Sequence, residues 1–287
     1  MVGRRKQIGT SVHVDVDGFS GDVHVREDGR PDGIPLVLIH GFGGSMHWLD
    51  LAVPLLEDAF RLIRIDLLGH GSTGGPAADA PLQSRVVAAV LDDLDIAHAT
   101  AIGHSFGADV AVDLAETSDR IERLIIVAQA PDYSDANLPR GNRLMTLPVL
   151  GALLHTAAKP LVAVVTPIAG MASRHPHSRV LAAHARADFF ALNPAMFRVV
   201  ILDRGTRMAA RPLDAQLMAA GKPTLVVLGE RDHFYGARAA TRYRSAGASV
   251  EVLAASGHSP FIDVPAEAVG LIRSWLLPLP AGSAPSD

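Results

Sequence analysis

Five continuous apolar runs recur along this chain: Pro35 to Ile39, Arg61 to Ile65, Ala99 to Ile102, Leu124 to Ala128 and Thr224 to Leu228. Most are followed by glycine or polar residues. A strand covered on both faces needs apolar side chains at odd and even positions alike, so short unalternating runs predict the inner strands of a parallel sheet. Helical stretches lie between or after them: Trp48 to Asp58, Leu82 to Leu94, Ala108 to Thr117, Ala237 to Ala246 and Pro265 to Leu276. Strand alternating with helix predicts an α/β fold, a mostly parallel twisted sheet with flanking helices. Ahead of it, Val12, Val14 and Val16 alternate with polar residues, and Val23 and Val25 repeat the pattern after Asp17-Gly18 and Ser20-Gly21. That predicts an antiparallel hairpin at the start of the sheet.

One segment breaks the rhythm. Residues 134–214 carry apolar and arginine-bearing stretches of helical character, and the strand-helix alternation resumes at Gly221-Lys222-Pro223. The expected organisation is a core domain made of residues 1–133 and 215–287, with 134–214 inserted as a helical cap. The insert holds ten Arg and Lys against four Asp and no Glu, in a chain of net charge −4. Two readings of that basic cap stand: arginines solvating exposed helix faces, or cations meeting an anionic head group or carrier. The most apolar stretch, Leu144 to Ala172, is interrupted by Pro148, Pro160 and Pro167, each lacking a backbone donor, so no integral membrane span is expected.

With 48% hydrophobic residues, the chain can bury a large core. Its charge shows no long one-sign block, so no nucleic-acid partner is expected. It has no cysteine, which removes disulfides, thiolate metal sites and a cysteine nucleophile together. Met1 to Thr10 has no apolar run behind its basic residues and does not read as a secretory signal, so a cytoplasmic location is expected. The Pro/Ala/Ser tail from Pro278 is expected to fray.

The chemistry concentrates in three places. Gly103-His104-Ser105-Phe106-Gly107 sets a serine between two glycines, directly after an apolar strand and before a helical run. A tight strand-to-helix turn there would project the hydroxyl above the sheet edge, with the Phe106 N–H at a helix start where negative charge could form. His40-Gly41-Phe42-Gly43-Gly44-Ser45 ends an earlier strand and offers the Phe42 N–H as a second anion-facing donor. After the late strand Thr224 to Leu228 comes Gly229-Glu230-Arg231-Asp232, and after the strand Ser249 to Leu253 comes Gly257-His258. An aspartate and a histidine thus leave successive strand ends that can converge on Ser105. His104 receives no catalytic assignment. His175-Pro176-His177 has no further ligand at useful spacing, so neither a metal nor a cofactor is expected.

Across roughly residues 11 to 277 the chain resembles the α/β-hydrolase superfamily, in particular its capped esterase-like and lipase-like members. The resemblance rests on His40-Gly41-Phe42-Gly43, Asp66-Leu67-Leu68-Gly69-His70-Gly71-Ser72, the elbow at Ser105, Gly229-Glu230-Arg231-Asp232 and Gly257-His258. It implies Ser105 as nucleophile, His258 as general base and then acid, Asp232 as its orienter, and the Phe42 and Phe106 amides as an oxyanion hole. Some relatives place the acid after the preceding strand, where this chain has Asp132; Asp232 is preferred for its Gly-Glu-Arg-Asp context. Dehalogenase-like and epoxide-hydrolase-like relatives carry an elbow aspartate, whereas this chain has Ser105.

The expected reaction is hydrolysis of a carboxylic ester through an acyl-enzyme, on a lipophilic small-molecule acyl substrate. Two activities share the same residues: thioester hydrolysis, and cleavage of a carbon–carbon bond in a vinylogous diketone acid. A slow-turnover ligand sensor on the same fold is the non-enzymatic alternative. Oligomeric state is left open by the sequence.

Overall fold

The computed structural model describes residues 9–137, 142–172, 175–235 and 238–277. The readings of the amino terminus up to residue 8, of Ala237 and of the tail from Pro278 lie outside the described residues. Eight strands form one sheet: β1 (Thr10–Val16), β2 (Phe19–Gly29), β3 (Ile34–Ile39), β4 (Phe60–Ile65), β5 (Ala99–His104), β6 (Ile121–Val127), β7 (Thr224–Gly229) and β8 (Ser249–Leu253). Their order is β1-β2-β4-β3-β5-β6-β7-β8. β1 pairs antiparallel with β2 and β2 with β4; every later pairing is parallel.

The apolar runs are inner strands because both of their faces are covered. In β3, Val37 and Ile39 join one core cluster and Leu36 and Leu38 the other; in β6, Leu124 and Ile126 oppose Ile125 and Val127 in the same way. The first face is covered by α1 (Ala80–Asp93) and α2 (Phe106–Thr117), through residues such as Val87, Val90, Val110 and Leu114. Among the described helices that follow are α3 (Pro148–Ala172), α4 (Ser178–Ala191), α5 (Arg204–Ala210), α6 (Leu213–Ala220), α7 (Arg238–Ser245) and α8 (Pro265–Leu276). α8 covers the second face with Ala268, Val269, Ile272 and Leu276. Because β3 and β5 to β8 run the same way, the loops leaving their carboxyl ends share one edge of the sheet, where this class of fold binds ligands.

Two local expectations are corrected. The stretch Trp48 to Asp58 is not one helix but a 3₁₀ turn, Met46–Leu49, and a single α turn, Val53–Leu56. Pro54 has no N–H for the carbonyl one turn back, so the helix restarts there instead of continuing. Conversely, of the three prolines only Pro148 marks a break in the apolar stretch: a short helical turn ends at Met145, and α3 begins at Pro148 and runs unbroken to Ala172, with Pro160 and Pro167 inside it. Both prolines are exposed, so the carbonyls they leave without a donor lie at the solvent side. α3 is long and apolar enough to cross a membrane by length and composition, yet only 11% of its most apolar window is buried.

The helices between β6 and β7 are fastened to the core by a buried ion pair. Arg204 Nε of α5 donates to Asp109 Oδ1 of α2 at 2.8 Å, its Nη2 donates to the Ala130 carbonyl at 3.0 Å, and Gln129 Nε2 donates to Asp109 Oδ2 at 2.6 Å. Arg211 pairs with Glu116 of α2 and Arg198 with Asp203, so several cations of the basic insert are neutralised by the core or within the insert itself, while Arg242 of α7 holds the insert's Asp214 from the core side. Asp214, the expected end of the insert, lies in the first turn of α6, which packs on α2.

Candidate active site

Ser105 stands where β5 turns into α2, and its backbone is strained: φ is 50° and ψ −123°, a region that L residues rarely occupy. The glycines on either side make that turn possible. A Cβ on Gly103 would come within 2.3 Å of the Gly107 carbonyl oxygen, and one on Gly107 within 2.3 Å of the Ile39 carbonyl oxygen. Neither backbone atom has room to give. The turn is tied down by Ser105 N–H donating to the Val127 carbonyl at 2.9 Å and by Ala108 N–H donating to the Ser105 carbonyl at 2.8 Å.

Over this serine the two late loops meet. His258 Nε2 lies 3.0 Å from Ser105 Oγ, and His258 Nδ1 lies 2.8 Å from Asp232 Oδ2. Asp232 is almost fully buried, and its other oxygen accepts from Phe234 N–H at 2.8 Å, which fixes the carboxylate plane. The Phe234 ring stands edge-on to His258 at 4.8 Å. Asp132, the competing acid, is turned elsewhere: it accepts from Arg242 Nη1 at 2.7 Å and from Ser134 N–H at 2.8 Å. The structure therefore brings Ser105, His258 and Asp232 into one hydrogen-bonded line and leaves Asp132 outside it.

Phe42 and Phe106 flank the serine. The Gly41-Phe42 turn passes so close that a Cβ on Gly41 would sit 3.0 Å from Ser105 Cβ. Phe106 opens α2, the helix whose positive end faces the serine. A cavity of about 80 Å³ opens beside Ser105, walled by Gly41, Phe42, Gly44, Trp48, His258 and Ser259.

Three buried histidines build the surroundings, with partners that local sequence does not specify. His40 Nε2 accepts from Leu67 N–H at 3.0 Å, so its proton sits on Nδ1, which donates to the Gly41 carbonyl at 2.8 Å. It staples the glycine turn to the loop after β4. His104 Nε2 donates to the His258 carbonyl at 2.7 Å and so holds the histidine loop from the elbow side. Asp263 holds the same loop from the other side, accepting from Gly257 N–H at 2.8 Å. His70 Nδ1 donates to the Leu68 carbonyl at 3.0 Å and packs edge-on against Phe42.

Burial pushes the His104 imidazole down to about 4 and that of His70 to about 3, and lowers His40 as well; neighbouring histidines add to the effect for His104 and His70. Burial works against the Asp66 carboxylate, but hydrogen bonds from His24 and from the Met46 and Ser72 amides hold it at about 2.

These shifts set the acid limit of the fold. A histidine kept below its unfolded value of about 6.5 stabilises fully above that pH, and the contribution is lost as pH falls toward the folded value. Asp66 adds a second loss between about 4 and 2 with the same sign. Chemical denaturation at pH 7.5 and pH 4.5 should therefore differ by on the order of 3 kcal/mol or more, with the acid side weaker. An unchanged midpoint would contradict the neutral, buried state of these histidines.

No metal ligand set is needed to explain the polar groups. His47, Asp50 and His184 have ligand-type atoms within 4.8 Å of one another. Asp50, however, already accepts from His47 Nδ1 at 3.0 Å on one oxygen and from Arg64 Nη1 at 2.5 Å on the other. A cation there would face the Arg64 guanidinium. His175 Nε2 bonds the Ile262 carbonyl and its Nδ1 accepts from His177 N–H, so both ring nitrogens of His175 are engaged. One contact across the insert was invisible in the sequence: Trp48 Nε1 donates to Asp188 Oδ2 of α4 at 2.9 Å, joining the cavity wall to the helices above it.

The family profile described as the alpha/beta hydrolase fold matches residues 34–265, and the chain belongs to that family. It is 38% identical over 106 residues to a 2-hydroxymuconate semialdehyde hydrolase of Pseudomonas sp. strain CF600, covering 34% of this chain and 37% of that protein. It is 36% identical over 102 residues to the esterase YbfF of Escherichia coli, covering 34% of this chain and 40% of that protein. A crystal structure of a hydrolase from Pseudomonas aeruginosa superposes with a TM-score of 0.73 at 22% identity, covering 95% of this chain and 99% of that one. Together the fold and the family make this chain a hydrolase of the alpha/beta class.

Proposed function

We propose that the protein is a serine hydrolase cleaving small carboxylic esters, with Ser105 as nucleophile, His258 as base and acid, and Asp232 as orienter. The observation that carries this reading is the unbroken line from Ser105 Oγ to His258 to Asp232, on a turn whose backbone is held in a strained form. Ser105 Oγ attacks the ester carbonyl as its proton passes to His258 Nε2. Asp232, bonded to Nδ1, stabilises the imidazolium that forms. The carbonyl oxygen, now negative, is received by the N–H groups of Phe42 and Phe106. His258 then gives its proton to the departing alcohol, and water repeats the sequence to release the acid.

The cavity supports an ester over a diketone acid, since among the described residues its walls carry no lysine or arginine to hold a carboxylate. Its volume of about 80 Å³ is well below the roughly 300 Å³ of a site for drug-sized ligands, which favours a short acyl group over a long one. Residues 134–214 serve in this reading as a lid, with the Trp48–Asp188 bond as one of its latches.

The test is kcat/KM on p-nitrophenyl esters of increasing acyl length. Acetate and butyrate should exceed dodecanoate by at least about tenfold, the scale of one well-used binding contact. Faster turnover of acyl-CoA thioesters or of a vinylogous diketone acid would replace the ester assignment while keeping the triad. One stoichiometric release followed by silence would favour the sensor.

A further inference from the structure

The helical hairpin of α3 and α4 leaves one face uncovered in an unusual way. Val149, Leu153, Leu161, Val164, Ile168 and Met171 are each between 55% and 74% exposed. At 100° per residue they fall on one face of α3 about 120° wide. The opposite face is the one in use. His155 Nε2 bonds the Phe189 carbonyl at 2.9 Å, Lys159 Nζ donates to the Phe190 carbonyl at 3.2 Å, and Gly170 is buried where its Cβ would touch Ala182. These contacts, spread along α3, hold it lengthwise against α4. A helix of 25 residues extends about 37 Å, at roughly 1.5 Å per residue.

The charge around this face has a single sign. From Ala136 to Ala187 the sequence contains no acidic residue. Arg143 stands just before α3, and Arg179 and Arg186 lie on α4; all three are exposed and make no ion pair among the described residues. The next acid, Asp188, is buried against Trp48.

We infer that the exposed face of α3 docks flat on an anionic lipid surface. The apolar face enters the acyl boundary while the arginines at its ends and on α4 meet negatively charged head groups. Apolar area and basic charge acting together are the requirement for a helix that lies in a membrane interface. A second copy of the chain fits less well. Whichever way two α3 helices align, Arg143 and Arg179 of one copy approach the same arginines of the other, with no carboxylate nearby to receive them. Docking would set the Trp48 wall of the cavity, to which α4 is bonded, beneath the membrane-facing helices.

Flotation of the full chain with phosphatidylcholine vesicles, with and without about one-third phosphatidylglycerol, tests the inference. The protein should float with the anionic vesicles, remain behind with the neutral ones, and be released severalfold by 0.5 M salt, because exposed charges are screened. A Leu153→Asp/Val164→Asp variant should lose at least about tenfold of the bound fraction while keeping its circular dichroism. Ser105→Ala should bind like the wild type, which separates docking from catalysis. Absence from both vesicle types, or equal binding to both, would overturn the inference. So would a wild-type dimer in light scattering that the double aspartate variant dissolves, which would give the face to a second copy.

Discussion

Replacing Ser105 with alanine is expected to lower kcat for a short ester by about 10⁶, with the protein still folded. The size follows from the geometry. Without Oγ there is no nucleophile and nothing for His258 to deprotonate, so the loss approaches that of the whole triad, and what remains comes from the oxyanion donors and binding. The substitution leaves the turn intact, since alanine carries the same Cβ at the same φ of 50°. Circular dichroism and the denaturation midpoint should stay at wild-type values. A variant keeping a tenth of the activity would mean that another group attacks the ester.

Replacing Asp232 with asparagine should cost about 10⁴ in kcat, because an amide no longer holds the imidazole in the required tautomer or stabilises its protonated form. Asp132→Asn is the informative control. Asp132 bonds Arg242 and Ser134, away from His258, so its loss should leave kcat within about threefold and show itself in stability, at the scale of a partly exposed ion pair. The reverse outcome, with Asp132→Asn the damaging change, would transfer the orienting role to the end of β6. Both variants can be read from the same steady-state assay on p-nitrophenyl acetate.

Much of this architecture is legible from the residues because steric demands are written locally. The inner strands announce themselves by apolar side chains at every position, and Gly103 and Gly107 mark the elbow because any larger residue would strike backbone. Asp232 and His258 are legible by a weaker signal, their places after late strands, and it takes the parallel sheet to bring them 2.8 Å apart. What could not be read depends on partners far along the chain. The Trp48–Asp188 bond spans 140 residues, and the roles of His40 and His104 depend on which carbonyls and amides the loops happen to present. The two misread helices show where local rules give way. Pro54 ended a stretch that amphipathic spacing would have continued, whereas Pro160 and Pro167 failed to end α3, whose packing along α4 holds the helix together.

The basic insert illustrates the same limit. Its surplus of cations is plain in the sequence, but their use is not. Arg204 is buried against Asp109, and Arg211 reaches Glu116, which makes part of that charge internal fastening. Among the described residues, Arg143, Arg179 and Arg186 beside α3 are exposed and make no ion pair, and only the fold separates the two sets.

The acyl-enzyme itself is the most direct test of the central claim. Wild-type protein mixed with p-nitrophenyl acetate and quenched in acid within the first turnovers should carry one acetyl group, mapped by peptide mass spectrometry to the segment holding Ser105. The adduct should be absent from Ser105→Ala. Sustained turnover with no adduct at Ser105, or with the acetyl group found on another residue, would contradict the mechanism.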